Sequence, residues 1–208
     1  MTGDPTAGLP AGRLIVITDR SLSEAAGRAL VDTVAATASA GAPLVLFREK
    51  ELSPSDRHAL GRDIAGTLEG TGTKLLVASD VALATELDAA GVHLASGDPE
   101  PRELAGGSLG FGRSCHDAGE VAAAAKEGAA WVTLSPIFST GSKPDYGPAL
   151  GTQVLGGHAV AVFALGGITP SDVEACVADG AHGVALMGAI MSAPDPAAVV
   201  HRILGTLA

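Results

Sequence analysis

The chain has 208 residues, 47% of them hydrophobic, 17% charged and 3% aromatic, with a formal net charge of −10. That apolar content excludes an intrinsically disordered chain, and the acidic balance argues against a nucleic-acid partner, which calls for a basic face. An anionic small-molecule ligand stays open, provided a few Lys and Arg converge on one pocket or a divalent cation lends positive charge.

From the start of the chain, residues 1–12 are polar and rich in Pro and Gly, and are expected to form a disordered N-terminal tail. No basic stretch there leads into an apolar core, so no secretory signal peptide is expected. The longest apolar runs, such as Ala159–Leu165, are strand-sized, far short of the roughly 18 residues of a membrane span, so no membrane partner is expected. The two cysteines, Cys115 and Cys176, are too few for a disulfide framework or a multi-cysteine zinc site. They read as small core residues in a reducing cytoplasm.

Strands are predicted over Leu14–Thr18, Leu44–Phe47, Lys74–Ala78, Val92–Leu94, Ser108–Gly112, Trp131–Ser135, Val160–Leu165 and Gly183–Met187. These runs of Val, Leu and Ile lack polar alternation, as parallel strands buried on both faces should. Between them lie Ala-rich amphipathic stretches. Ser53-Pro54-Ser55-Asp56 and Thr169-Pro170-Ser171-Asp172 each offer a hydroxyl N-cap, a Pro at the first helical position and a carboxylate two further on. Ala40-Gly41-Ala42, Glu127-Gly128-Ala129 and Asp179-Gly180-Ala181 place a glycine where a helix stops and a strand begins. The fold class that follows is α/β, a single (β/α)8 TIM barrel over residues 13–208. The rival, a doubly wound open sheet, lacks its Gly-rich dinucleotide turn: the first strand runs into Thr18-Asp19-Arg20.

In a barrel, the residues just after each strand share the catalytic rim. After the second predicted strand come Arg48-Glu49-Lys50, then Ser79-Asp80 after the third and Asp98 after the fourth. Ser114-Cys115-His116 follow the fifth, and Thr140-Gly141-Ser142-Lys143 the sixth. Gly166-Gly167 and Met187-Gly188 follow the seventh and eighth, where barrels bind phosphate through backbone N–H groups. Cations, carboxylates, hydroxyls and glycine turns together suit a phosphorylated ligand with Mg²⁺. Singly, each has a plainer reading. Asp80 can cap a helix beginning at Val81, Asp98 before Pro99 can hold a turn, and His93, inside a strand, reads as structural.

These residues, in order, resemble thiamine phosphate synthase and its relative, the thiazole tautomerase. The resemblance rests on Ile17-Thr18-Asp19, Arg48-Glu49-Lys50, Ser79-Asp80, Gly91-Val92-His93-Leu94, Gly112-Arg113-Ser114-Cys115-His116, the run Ser135–Lys143, and Ala164-Leu165-Gly166-Gly167-Ile168. It extends from about Arg13 to the C-terminus.

The resemblance implies a (β/α)8 barrel that joins hydroxymethylpyrimidine diphosphate to thiazole phosphate and releases diphosphate. The pyrimidine C–O bond breaks first, and the thiazole nitrogen attacks the resulting cation. It further implies that Arg48, Lys50 and Lys143 hold the diphosphate, that Asp80 and Asp98 hold Mg²⁺, and that Ser114 meets the diphosphate or pyrimidine. Thr140 and Ser142 would meet a thiazole carboxylate, and Gly167, Met187 and Gly188 the thiazole phosphate.

The chain departs from the synthase pattern at Leu46, where Gln is usual, at Ser79, where Asn is usual, and at Ala95-Ser96 and Met187-Gly188. The alternative the resemblance carries is the tautomerase, with His116 as general acid/base and no metal. A non-catalytic regulator that binds thiazole phosphate is a third reading. The low charge and Ala-rich helices permit a homodimer.

Overall fold

Eight short runs of branched and aromatic residues, four to six residues each, can bury both faces only inside a closed sheet with helices around it. The structure, a computed structural model describing residues 11–99, 109–139 and 148–208, forms that sheet. Its strands are β1 (Leu14–Ile17), β2 (Leu44–Phe47), β3 (Lys74–Ala78), β4 (Gly91–Leu94), β5 (Gly110–Cys115), β6 (Trp131–Leu134), β7 (Ala161–Leu165) and β8 (Gly183–Leu186). All pair in parallel with their sequence neighbours, and β1 pairs with β8 to close the barrel. Side chains alternate across the wall. Ile15, Leu44, Leu76, Trp131 and Phe163 fill the interior, while Val16, Val45, Val77, Val132 and Val162 pack under the helices.

The helices are α1 (Arg20–Ala25), α2 (Leu30–Ser39), α3 (Pro54–Leu68), α4 (Val81–Glu86), α5 (Ala118–Glu127), α6 (Val173–Ala178), α7 (Gly188–Met191) and α8 (Pro196–Leu207). No described helix is long and apolar enough to cross a membrane. The expected cap of α3 is present, with Ser53 Oγ accepting from Asp56 N at 3.2 Å. The glycine stops are present as well: Gly41, Gly128 and Gly180 have φ of 86°, 86° and 100°.

Five strands differ from the sequence expectation by one residue at one end, and α6 and β5 differ by more. Helix α6 begins at Val173, not beside Pro170. The Thr169 amide and hydroxyl both donate to Asp172 Oδ2, at 2.8 and 2.6 Å, and close Thr169–Asp172 into a turn ahead of the helix. Strand β5 runs to Cys115 rather than ending at Gly112, so Ser114 lies inside the strand and only His116 follows it. Both cysteines are buried and unpaired, and burial pushes their thiols up, to about 12 for Cys115 and about 11 for Cys176. They are inert core residues.

Candidate active site at the C-terminal rim

Inward-pointing residues at the strand ends and the first residues beyond them enclose a cavity of about 740 Å³. Its lining divides by chemistry. Ile17, Leu46, Leu165 and Ala185 give β1, β2, β7 and β8 an apolar side, whereas His93, Ser114 and Thr133 give β4, β5 and β6 a polar one. Arg48, Lys50 and Arg57 bring positive charge to the same cavity, and Ser79, Gly167, Met187 and Gly188 line it too.

The β2 rim is held from the neighbouring strand. Arg48 N donates to Thr18 Oγ1 at 2.9 Å, which turns the chain after Phe47. Glu49 also lines the cavity and is only 4% exposed; its Oε2 accepts from Arg20 N, at the start of α1, at 3.1 Å. Its Oε1 has no partner among the described residues. Burial pushes its pKa up, against the lowering effect of the Thr18 hydroxyl and the Arg20 amide.

At the β3 rim, Ser79 has φ of 57°, the left-handed region that non-glycine residues seldom occupy, and its N–H donates to His93 O at 3.0 Å. The turn after β7 is built from Gly166 and Gly167, with φ of 94° and 68°. A Cβ on Gly167 would come within 2.5 Å of Ser139 O. Glycine is required there for both reasons, and its backbone stays open to a ligand. Met187 precedes α7, whose first residue is Gly188.

The acidic pair is placed differently. Asp80 is the N-cap of α4: Oδ1 accepts from Leu83 N at 2.8 Å, and Oδ2 is engaged by Arg57. Asp98 Oδ2 accepts from Ala95 N at 2.8 Å and closes a turn, and Asp98 O accepts from Arg113. Neither carboxylate lines the cavity, and no cluster of three or more His, Cys, Asp or Glu that could hold a metal occurs among the described residues. Both oxygens of Asp80 and Oδ2 of Asp98 are thus engaged, so the pair offers no ready cage of free oxygens, whereas Mg²⁺ commonly takes one or two carboxylates together with substrate phosphates.

His116 lines the cavity, with Nδ1 2.9 Å from Ser135 O, so that nitrogen carries a proton toward the carbonyl. His116 N donates to Glu120 Oε2 at 2.7 Å. Thr140, Ser142 and Lys143 lie outside the described residues.

Residues 14–190 match the model of a family described as thiamine monophosphate synthase. The chain belongs to that family. It is 35% identical over 204 residues to a thiamine-phosphate synthase of Roseiflexus castenholzii, covering 93% of this chain and 88% of that one. It is 34% identical over 191 residues to a thiamine-phosphate synthase of Geobacillus kaustophilus, covering 87% and 86%. Among solved structures it superposes on a thiamine phosphate pyrophosphorylase from Pyrococcus furiosus with a TM-score of 0.82 and 25% identity, over 94% of this chain and 95% of that one.

Within this thiamine monophosphate synthase family member, several cavity residues were not singled out as site residues from the sequence, and two of them bear most on its chemistry. Arg57 is one: it lies on α3 and shares a face with Gly61, Ile64 and Leu68, all buried. That i, i+4, i+7, i+11 spacing was the available signal that Arg57 faces the barrel. The other is His93, whose place in a strand is as expected but whose ring reaches the cavity floor and contacts Ser114.

Proposed function

We propose that the chain condenses hydroxymethylpyrimidine diphosphate with thiazole phosphate, giving thiamine phosphate and diphosphate, as a thiamine-phosphate synthase does. The observation that carries this reading is the collection of Arg48, Lys50 and Arg57 at one cavity of a chain whose net charge is −10. Such a departure from the overall sign suits a polyanionic substrate.

The roles follow from position. Arg48, Lys50 and Arg57 neutralise the diphosphate, and Lys143, which comes after β6 in the chain, adds charge as the leaving group separates. Arg57 is suited to this because its buried Nε has no hydrogen-bond partner among the described residues. Ser114 donates to the diphosphate or the pyrimidine. The Gly167 and Gly188 backbone, with Met187 beside it, receives the thiazole phosphate, and Thr140 and Ser142 meet a thiazole carboxylate where one is present. The apolar side of the cavity supports the two rings in the order that attack requires.

Mg²⁺ is the cofactor the family resemblance implies, with Asp80 and Asp98 as its residues. These two carboxylates would hold the ion together with the substrate diphosphate, and it would share the charge balance with Arg48, Lys50 and Arg57. The buried, reduced thiols fit a cytoplasmic location.

Purified protein given both substrates and MgCl₂ is expected to form thiamine phosphate, read as thiochrome fluorescence after oxidation. Absence of product with intact substrates overturns the reading. Lys143→Ala should lower kcat on the order of 10²–10³-fold, as loss of one transition-state donor does.

The tautomerase is the second reading, favoured by His116 lining the same cavity. There, His116→Ala would abolish isomerisation of the carboxythiazole phosphate, and Lys143→Ala would leave it intact. Binding of thiazole phosphate with neither product formed would indicate the regulator.

A further inference from the structure

Three inward residues lie in one lateral row across the barrel wall: His93 on β4 pairs in register with Gly112 on β5, which pairs with Trp131 on β6. Gly112 has no side chain to separate the outer two. A Cβ there would stand 2.1 Å from Trp131 Cε2, and one on Gly91 would stand 2.8 Å from Trp131 Cη2. The indole therefore lies across β5 and reaches the imidazole, with ring centroids 6.2 Å apart and planes inclined by 22°.

Trp131 Nε1 donates to His93 Nδ1 at 3.1 Å. An indole nitrogen can only donate, so Nδ1 must hold a lone pair, and the proton of the neutral ring resides on Nε2. An imidazolium would set two N–H groups against each other at that contact. His93 is 5% exposed, and burial opposes its charged form as well. Nε2 faces two hydroxyls, Ser114 Oγ at 3.1 Å and Thr133 Oγ1 at 3.2 Å. Facing a fixed N–H, each hydroxyl accepts through one lone pair, which leaves the Ser114 proton free to point away from His93.

We infer that the Trp131–His93 pair is a positioning device for the proposed reaction, fixing the polarity of the cavity floor so that Ser114 keeps its proton available to donate to the ligand. His93 acts through Ser114 and exchanges no proton. The ligand group that takes the Ser114 proton is an acceptor, a diphosphate oxygen or an unprotonated ring nitrogen. The inference rests on the proposed function for the identity of that ligand, but the hydrogen-bond order is a property of the protein alone.

The test has a spectroscopic arm and a functional arm. In protein labelled with ¹⁵N-histidine, nitrogen–carbon correlation at neutral pH should show His93 as the Nε2–H tautomer. Trp131→Phe, which keeps a ring but removes the donor, should turn it into a tautomer mixture. An Nδ1–H tautomer or an imidazolium in the parent protein overturns the inference.

For condensation, Trp131→Phe should lower kcat about tenfold, the scale of one neutral hydrogen bond, with KM for both substrates little changed. His93→Leu and Ser114→Ala should each lose at least as much, and the double variant no more than either alone. His93→Gln, whose amide can donate from near the Nε2 position, should recover most of the rate. Additive losses, or a Trp131→Phe protein with mixed tautomers and undiminished turnover, overturn the inference. Circular dichroism and melting temperature identify any variant that has merely unfolded.

Should the parent protein form no thiamine phosphate, the proposed function fails separately. Calorimetric binding of inorganic diphosphate, weakened in the same order across the variants, would then still support the inference, and unchanged binding would reject it.

Discussion

His93 shows how much one residue's neighbours decide. Burial, helped by Arg113 and opposed by Asp98, pushes its pKa down from 6.5 to about 4. The sign of the consequence follows from proton uptake. Between those two values the unfolded chain binds the proton and the folded chain does not, so stability rises with pH in that window. The contribution is complete above about 6.5 and is lost as pH falls through about 4, amounting to about 3 kcal/mol for a fully buried ring. His93→Gln should accordingly flatten the fall in melting temperature between pH 6.5 and 4 relative to the parent protein. His182, also lowered by burial, titrates in both proteins and drops out of the difference. Equal slopes would mean that His93 is protonated in the folded state. At the same scale, Asp80 and Asp98 illustrate two chemistries competing for one carboxylate. Each stands where the rim motif places it, and each spends oxygens on backbone N–H groups that begin a helix or close a turn.

Among the elements, β5 explains both what the sequence discloses and what it hides. Seven strands were legible to within a residue or so because Val, Leu and Ile follow one another without polar interruption. In β5 the run breaks at Arg113, and the strand reads as ended. The structure carries it on, because Arg113 points outward under α5. Its Nε lies 3.0 Å from Glu127 Oε2, an ion pair without hydrogen-bond alignment, and its Nη1 donates to Ala95 O and Asp98 O at 3.1 and 3.0 Å. A charged residue buried by three partners from two other elements leaves no local signal. The rim residues Arg48, Lys50 and Gly167 were legible since they directly follow apolar runs. Arg57 was hidden by lying on a helix, and the Trp131–His93 contact by spanning a third strand. The glycines of that row carry a steric requirement that can be measured. Gly112→Ala has to displace a buried indole, and should destabilise the protein by about 3 kcal/mol in a denaturant titration. The same change in a Trp131→Val background should cost far less, since the contact it creates is gone. Equal costs in both backgrounds would show that the indole does not occupy the space over Gly112.

For the whole molecule, the decisive event is closure, which joins the first strand to the last and cannot be seen in any local window. Closure rests on Arg13, immediately before β1. Its carbonyl accepts from Val184 N at 2.9 Å in the β1–β8 pairing, while its Nε donates to His182 O at 2.8 Å and its Nη1 to Leu207 O at 2.7 Å. One side chain thus ties the first strand to the residue before β8 and to the end of α8. Opposite it, Gly183 admits the Arg13 backbone, where a Cβ would stand 2.1 Å from Arg13 O. Contacts between the two chain ends form against the full loop-closure entropy of the barrel, so their loss should be felt by every element at once. Arg13→Ala removes two hydrogen bonds from a charged donor to carbonyls, with an expected cost of about 2–4 kcal/mol. Hydrogen exchange should locate it: amides of α8 and of the β1–β8 seam should exchange faster, while those of β4, β5 and β6 follow the global loss. If α8 keeps its protection and the melting temperature is unchanged, the seam is held by the strand pairing alone, and the guanidinium is a surface ornament of the closure.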